Sequence, residues 1–181
     1  LEKHILPYVD RRGMVATAGA AVGAWPVTYG KHFTRVVAFE PNRLLWPSLE
    51  RNLLENGALN VEIVYAGLSN KYGECEMVDV QPNNMGAWHI QPGKGIPVIP
   101  LDAIELEECD LLQLDVEGGE IDALEGAKAT ITQHKPVIVV EVKPATLRQF
   151  KQTTEELYTT LRRMGYHQAD RFARDELWLP N

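Results

Sequence analysis

The chain has 181 residues and a mass of 20.3 kDa, the size of one domain, and its 45% hydrophobic and 24% charged residues are typical of a compact globular protein. The net charge of −7 disfavours nucleic acid as a partner, and the sequence has no run of about 18 apolar residues that could span a membrane. The first ten residues lack the apolar stretch of a signal peptide, which predicts a cytoplasmic protein, and the two cysteines lack the spacing of a disulfide framework or metal site.

Five short runs rich in β-branched residues predict β-strands, and most of them are almost wholly apolar. They are residues 14–18, 35–39, 61–65, 111–114 and 137–142. Such strands are buried on both faces, as in a parallel sheet that helices cover on either side. We therefore expect a single α/β domain over residues 1–181 with a mostly parallel sheet.

Two segments between these strands have the apolar spacing of amphipathic helices. Residues 44–56 form the first, with Asn42 as a candidate N-cap and Pro47 in the first turn. In the second, apolar side chains recur every three or four residues over 144–164, and Gly165 supplies the stop. This pattern predicts one continuous helix before the end of the chain.

The remaining segments predict antiparallel structure. Between residues 73 and 100 the pattern alternates and four prolines interrupt it, which favours an antiparallel excursion with loops. Residues 83–89 within it could form a lid over a site, with His89 as a candidate base or as an ordinary solvated histidine. Residues 166–173 and 176–180 predict a hairpin that closes the sheet.

Small residues follow the first predicted strand in the order Thr-Ala-Gly-Ala-Ala-Val-Gly, residues 17–23. Glycines at 19 and 23 would let the backbone approach a ligand, although a tight turn under a helix explains them equally well. Glu40 ends the next strand, where an acid in open α/β sheets accepts hydrogen bonds from the ribose of an adenosine cofactor. Together, the glycine turn and Glu40 favour a cofactor site over two unrelated features.

Polar residues also follow the third and fourth predicted strands. Ser69 lies in a turn that could border an adenine ring. Asp115 and Glu117 follow an apolar run, so Asp115 should be partly desolvated, which raises its proton affinity and suits a general base. The alternative is that both acids simply favour the start of the next helix.

These segments, in this order, resemble the FkbM-type S-adenosylmethionine-dependent methyltransferases. The resemblance spans residues 15–143 and rests on FEPN at 39–42, AGLSN at 66–70, the Leu-Asp pair at 101–102 and DLLQLDVEGGE at 110–120. It implies a Rossmann-like, seven-stranded, mostly parallel sheet with a reversed final hairpin. It also implies methyl transfer from S-adenosylmethionine to a small-molecule acceptor, usually a hydroxyl of a sugar or natural product.

The resemblance assigns candidate roles to individual residues of the cofactor site. Gly19, Ala20 and Gly23 would approach the methionine part of the cofactor. Glu40 would bind the ribose hydroxyls, and Asn42 would line the same rim.

The other carried-over residues lie farther along the chain. Ser69 would lie beside the adenine, and Asp115 and Glu117 would face the sulfonium and the acceptor. The catalytic candidates are therefore these two acids.

The chain departs from the family pattern at three positions. Thr17 stands where an acid usually helps to hold the amino group of the cofactor, and it offers a hydrogen bond without a charge. Ala21 replaces an asparagine, and Gln113 replaces a frequent lysine. These departures leave open a catalytically weakened fold that acts as a binding or partner subunit. A nicotinamide-dependent dehydrogenase is a further alternative, although the G-x-G-x-x-G motif is absent.

Overall fold

The computed structural model of the chain describes residues 1–79 and 88–181, with the backbone alone described at residues 79, 88–90 and 92. The strands are β1 (Met14–Ala18), β2 (Arg35–Phe39), β3 (Val61–Val64), β4 (Gly67–Leu68), β5 (Gly73–Asp79), β6 (Trp88–Pro92), β7 (Ile96–Ile99), β8 (Leu111–Leu114), β9 (Val137–Glu141), β10 (Tyr166–Phe172) and β11 (Asp175–Pro180). The helices are α1 (Ala24–Gly30), α2 (Trp46–Glu55), α3 (Glu120–Glu125), α4 (Lys128–His134), α5 (Pro144–Gln149) and α6 (Thr154–Arg163). Short 3-10 turns lie at Leu6–Tyr8 and Leu101–Ile104.

The main sheet has seven strands in the order β10-β11-β9-β8-β1-β2-β3. The five strands from β9 to β3 are parallel, and the hairpin of β10 and β11 pairs antiparallel with β9. The predicted α/β fold, with its mostly parallel sheet and reversed final hairpin, is confirmed.

Burial along the sheet follows the position of each strand. All residues of β1 and β8, at the centre of the sheet, are buried, whereas β3 at the edge is only partly buried. Helices α3, α4 and α6 pack on one face, and the Leu6–Tyr8 turn and α1 cover the other. Four of the five predicted runs therefore form inner strands of a three-layer arrangement, and the run that begins at residue 61 forms its edge strand β3.

A second, four-stranded sheet has the order β4-β7-β5-β6. Its strand β5 pairs antiparallel with both β6 and β7, so the antiparallel pairing expected between residues 73 and 100 is present. Residues 83–87 of the predicted lid lie outside the described residues, as does the side chain of His89.

The prediction of one helix over residues 144–164 is wrong. The structure has two helices there, α5 and α6, separated by residues 150–153 with Lys151 in the left-handed region at φ 58°. Thr153 starts α6 through a capping box, because its hydroxyl accepts from the Glu156 N–H while the Glu156 carboxylate accepts from the Thr153 N–H. This reciprocal cap supplies partners for the free backbone groups that the break creates.

The prediction that Asn42 is the N-cap of α2 is also wrong, although Pro47 does lie in the first turn of this helix. Leu45 is the N-cap of α2, and the side-chain oxygen of Asn42 accepts from the Leu44 N–H at 3.0 Å instead. Asn42 therefore stabilises the turn between β2 and α2 rather than the helix itself. In the described parts of the chain, we find no helix with the length and apolar character that crossing a bilayer requires.

Candidate functional site

The carboxyl ends of β1, β2 and β8 meet around a cleft with about 440 Å³ of empty space, part of it open to solvent. In the sheet, β1 lies between β2, the next strand in the sequence, and β8, a much later one. The strand order reverses at β1, and the cleft lies at this point. Ligands of open α/β sheets bind at such a point. The described lining residues of the cleft are Ala18, Gly19, Phe39, Glu40, Pro41, Gly67, Leu68, Met77, Asp115, Val116 and Glu117.

Gly19 lies at the closest approach between β1 and β8. Its φ of +85° is in the left-handed region, and a Cβ there would come within 1.9 Å of the Asp115 carbonyl oxygen. The Asp115 N–H in turn donates to the Ala18 carbonyl at 3.0 Å. Only glycine fits at this position, because any side chain would push the two strand ends apart.

The rest of the glycine turn shapes the backbone behind the cleft. The N–H groups of Gly19 and Ala20 both donate to the Phe39 carbonyl at 3.1 Å, which joins the turn to the end of β2. Gly23, at φ +98°, starts α1, and its N–H donates to the Ala20 carbonyl at 2.8 Å. Among the three predicted residues of this turn, Gly19 lines the cleft, whereas Ala20 and Gly23 are not among its described lining residues.

Glu40 reaches the cleft with both carboxylate oxygens already hydrogen-bonded. One accepts from the Ala21 N–H and the other from the Asn42 N–H, each at 2.7 Å. The residue is 4% exposed, and burial raises the pKa of its carboxyl to about 6 although these two hydrogen bonds lower it. Each oxygen retains a lone pair, so the group can accept further hydrogen bonds from a ligand.

A cluster of three carboxylates and one ammonium lies at the ends of β8 and β9. Asp115, Glu117 and Glu141 each place an oxygen within 4.8 Å of the others. The Lys143 Nζ lies 2.6 Å from oxygens of Glu117 and Glu141 and 4.0 Å from Asp115 Oδ1. The structure thus brings the two predicted catalytic acids together and adds two residues that the sequence analysis did not name.

The proton affinities in this cluster differ from those of isolated groups. Burial raises the pKa of Asp115 to about 9, helped by a hydrogen bond and charge repulsion from Glu141 and opposed by Lys143. Burial lowers the pKa of Lys143, but its contacts with Glu117 and Glu141 outweigh this and raise it. Burial and the neighbouring Glu141 therefore favour the protonated form of Asp115, whereas the surrounding carboxylates favour the charged form of Lys143.

The loop after β8 holds Glu117 in an unusual conformation. Its φ of 54° is left-handed for a residue with a side chain, and Gly118 follows at φ +111°. A Cβ on Gly118 would lie 2.6 Å from the Thr146 carbonyl of α5. The close approach of α5 requires the glycine, and the strained backbone aims Glu117 at the cluster.

Besides Ala20 and Gly23, three more predicted cofactor residues do not line this cleft: Thr17, Ser69 and Asn42. Thr17 is fully buried, and its hydroxyl donates to the side-chain oxygen of Gln113. Ser69 lines a neighbouring cleft between the second sheet and α3, with about 890 Å³ of empty space, part of it open to solvent. This cleft shares Leu68 with the first one. Asn42 is buried and supports Glu40 through its backbone N–H.

Comparison with protein families matches residues 18–167 to the methyltransferase FkbM domain. Comparison with curated proteins finds no match.

Several solved structures are similar to the chain. Methyltransferase FkbM from Methylobacillus flagellatus KT has a TM-score of 0.62 and 22% identity, over 94% of this chain and 44% of that chain. Precorrin-6y C5,15-methyltransferase from Geobacter metallireducens GS-15 has a TM-score of 0.58 and 14% identity, over 96% and 82% of the two chains. A TehB-like SAM-dependent methyltransferase from Corynebacterium glutamicum ATCC 13032 Kitasato has a TM-score of 0.56 and 12% identity, over 98% and 85%.

At these identities the likeness shows a common fold, that of class I methyltransferases. The chain spans less than half the length of the Methylobacillus FkbM structure.

Proposed function

The chain belongs to the FkbM methyltransferase domain family, and from this premise we propose that it transfers a methyl group from S-adenosylmethionine to a hydroxyl of a small carbohydrate-like or secondary-metabolite molecule. The observation that carries the proposal is the cleft itself. It has a buried hydrogen-bond acceptor, Glu40, on one side and the cluster of Asp115, Glu117, Glu141 and Lys143 on the other.

The first side of the cleft fits an adenosine-containing cofactor. Glu40 keeps lone pairs for two hydroxyl donors, as the ribose of S-adenosylmethionine presents. The missing side chain of Gly19 leaves the backbone open to a ligand, and Leu68 and Met77 provide apolar walls for a flat ring. S-adenosylmethionine, when bound, supplies a methyl group on a positively charged sulfur, which makes that carbon electrophilic.

The second side of the cleft fits the acceptor. Methyl transfer to a hydroxyl releases a proton, and a carboxylate oxygen of the cluster can accept it. Because burial and Glu141 favour the protonated form of Asp115, Glu141 would accept the proton while Asp115 donates a hydrogen bond to it. Lys143 holds Glu117 and Glu141 in place through two contacts of 2.6 Å. The protein's main contribution is to orient the acceptor hydroxyl toward the methyl group and to exclude water.

Transfer of radiolabelled methyl from S-adenosylmethionine to a panel of sugars and hydroxylated natural products tests the proposal. With any acceptor that reacts, Glu141→Gln should lower turnover by about 100-fold while the affinity for S-adenosylmethionine stays within a few-fold, because this variant removes the proton acceptor. Glu74→Gln is the matched control, because this acid lines the neighbouring cleft. Undiminished turnover in Glu141→Gln would remove that residue from the reaction.

A further inference from the structure

Two polar side chains are buried side by side directly beneath the cleft. Thr17 of β1 and Gln113 of β8 are register partners, and both are 0% exposed. The Thr17 hydroxyl donates to the Gln113 side-chain oxygen. Two residues further along each strand, Gly19 and Asp115 form the closest approach at the rim of the cleft.

The Thr17–Gln113 pair is not the arrangement expected if these two positions contributed only to the stability of the fold. Among the described residues, the side-chain nitrogen of Gln113 has no hydrogen-bond partner, although it is buried. A buried donor without a partner costs stability, whereas two apolar side chains of similar shape would be neutral or better.

We infer that the Thr17–Gln113 pair is a positioning element for the cofactor site, an inference that rests on the proposed function. The hydrogen bond joins β1 to β8 just below their carboxyl ends. It therefore fixes the position of Gly19 relative to Asp115. The backbones of these two residues lie so close that there is no room for a Cβ on Gly19. A small shift of either strand therefore changes the rim of the cleft. A neutral pair fixes this geometry without placing a charge below the site.

The test separates positioning from stability with an apolar double variant, Thr17→Val with Gln113→Met. Urea unfolding should show that it is at least as stable as the wild type, since both partners of the hydrogen bond are removed together. Calorimetric titration with S-adenosylmethionine should show affinity about tenfold weaker, because the rim has shifted. Thr17→Ser keeps the hydroxyl and should retain affinity within about twofold of the wild type.

Tyr166→Phe provides a control for losing a buried hydrogen bond elsewhere. The Tyr166 hydroxyl donates to the Pro136 carbonyl at 2.9 Å, away from the described cleft residues. This variant should lose stability and keep its affinity for S-adenosylmethionine.

Each remaining outcome overturns a specific claim. If the wild type binds S-adenosylmethionine and the double variant binds it equally well, the positioning role is wrong and the proposed function stands. If the double variant is unfolded or less stable than the wild type, the pair is structural. If the wild type itself does not bind, the proposed function fails and this inference fails with it.

Discussion

The two sides of the cleft hold their carboxylates in different ways. On the β1–β2 side, Glu40 is held by two backbone N–H groups, so the main chain of the adjacent turns fixes its position. On the β8–β9 side, Glu117 and Glu141 are held by the ammonium of Lys143, with Asp115 beside them. One side is built by the backbone, and the other depends on the charges of side chains.

This difference separates what each side does well. A carboxylate held by the backbone is an oriented acceptor whose geometry is set before a ligand binds, as recognition of a ribose requires. A cluster in which three acids surround one cation can exchange a proton among its members, as removal of a proton from an acceptor requires. The comparison predicts that backbone changes damage the first side and that charge changes damage the second.

The largest effect is expected at the backbone contact between the two sides. Gly19→Ala puts a Cβ within 1.9 Å of the Asp115 carbonyl at a φ of +85°, so the strand ends must separate. We expect a loss of about 3 kcal/mol or more in the free energy of unfolding, together with loss of S-adenosylmethionine binding. Urea unfolding and calorimetric titration measure the two effects.

Gly57→Ala is the matched control for this substitution. Gly57 also has a positive φ, +65°, but a Cβ there meets nothing within 4 Å. It should lose about 1 kcal/mol from backbone strain alone and keep its cofactor affinity. Similar losses in both variants would contradict the contact described at Gly19.

Removal of the central cation tests the charged side. Lys143→Met leaves the carboxylates of Glu117 and Glu141 close together without their ammonium, and we expect about 2 kcal/mol of destabilisation at pH 8 because the cluster is mostly buried. Arg35→Met breaks the exposed pair with Glu62 and should cost about 0.5 kcal/mol or less. Equal stability of both variants at pH 8 would show that Lys143 does not hold the cluster.

The smallest effect concerns the protonation of Glu40. Its pKa is about 6 because burial disfavours the charged form, so the carboxylate binds a proton as the pH falls through 6. A protonated carboxyl has lost acceptor capacity, and the affinity for S-adenosylmethionine should fall by up to about tenfold per pH unit below 6. Titrations between pH 5 and 7 measure this slope. Glu40→Gln should bind more weakly and with no such slope, and an unchanged slope in that variant would assign the titration to another group.

Much of the fold could be predicted because the inner strands are buried on both faces. Apolar runs such as residues 111–114 indicate their own burial, and the final hairpin has clear turn residues. The break between α5 and α6 was missed because the apolar spacing continues across it. Thr153 and Glu156 carry the capping-box signal in the sequence, and weighting it above the periodicity would have placed the break.

A residue of the candidate site could be predicted only where the sequence around a single strand end is enough to identify it. Glu40 and Asp115 were found because an acid directly follows an apolar run. Glu141 obeys the same rule at the end of β9, so it could have been found too, whereas the role of Lys143 follows from contacts across two strand ends. The partnership of Thr17 with Gln113 depends on register, which the sequence does not contain.

Calorimetric titration of the wild-type chain with S-adenosylmethionine, beside Glu40→Ala, is the most direct test of the central claim. We predict saturable binding by the wild type and a loss of about 100-fold or more in the variant, since the hydrogen bonds that the two ribose hydroxyls would donate to the Glu40 carboxylate disappear together. Absence of binding to the wild type would contradict the account and favour a fold that serves as a binding or partner subunit. Equal binding by both proteins would place the cofactor elsewhere than the cleft between β1, β2 and β8.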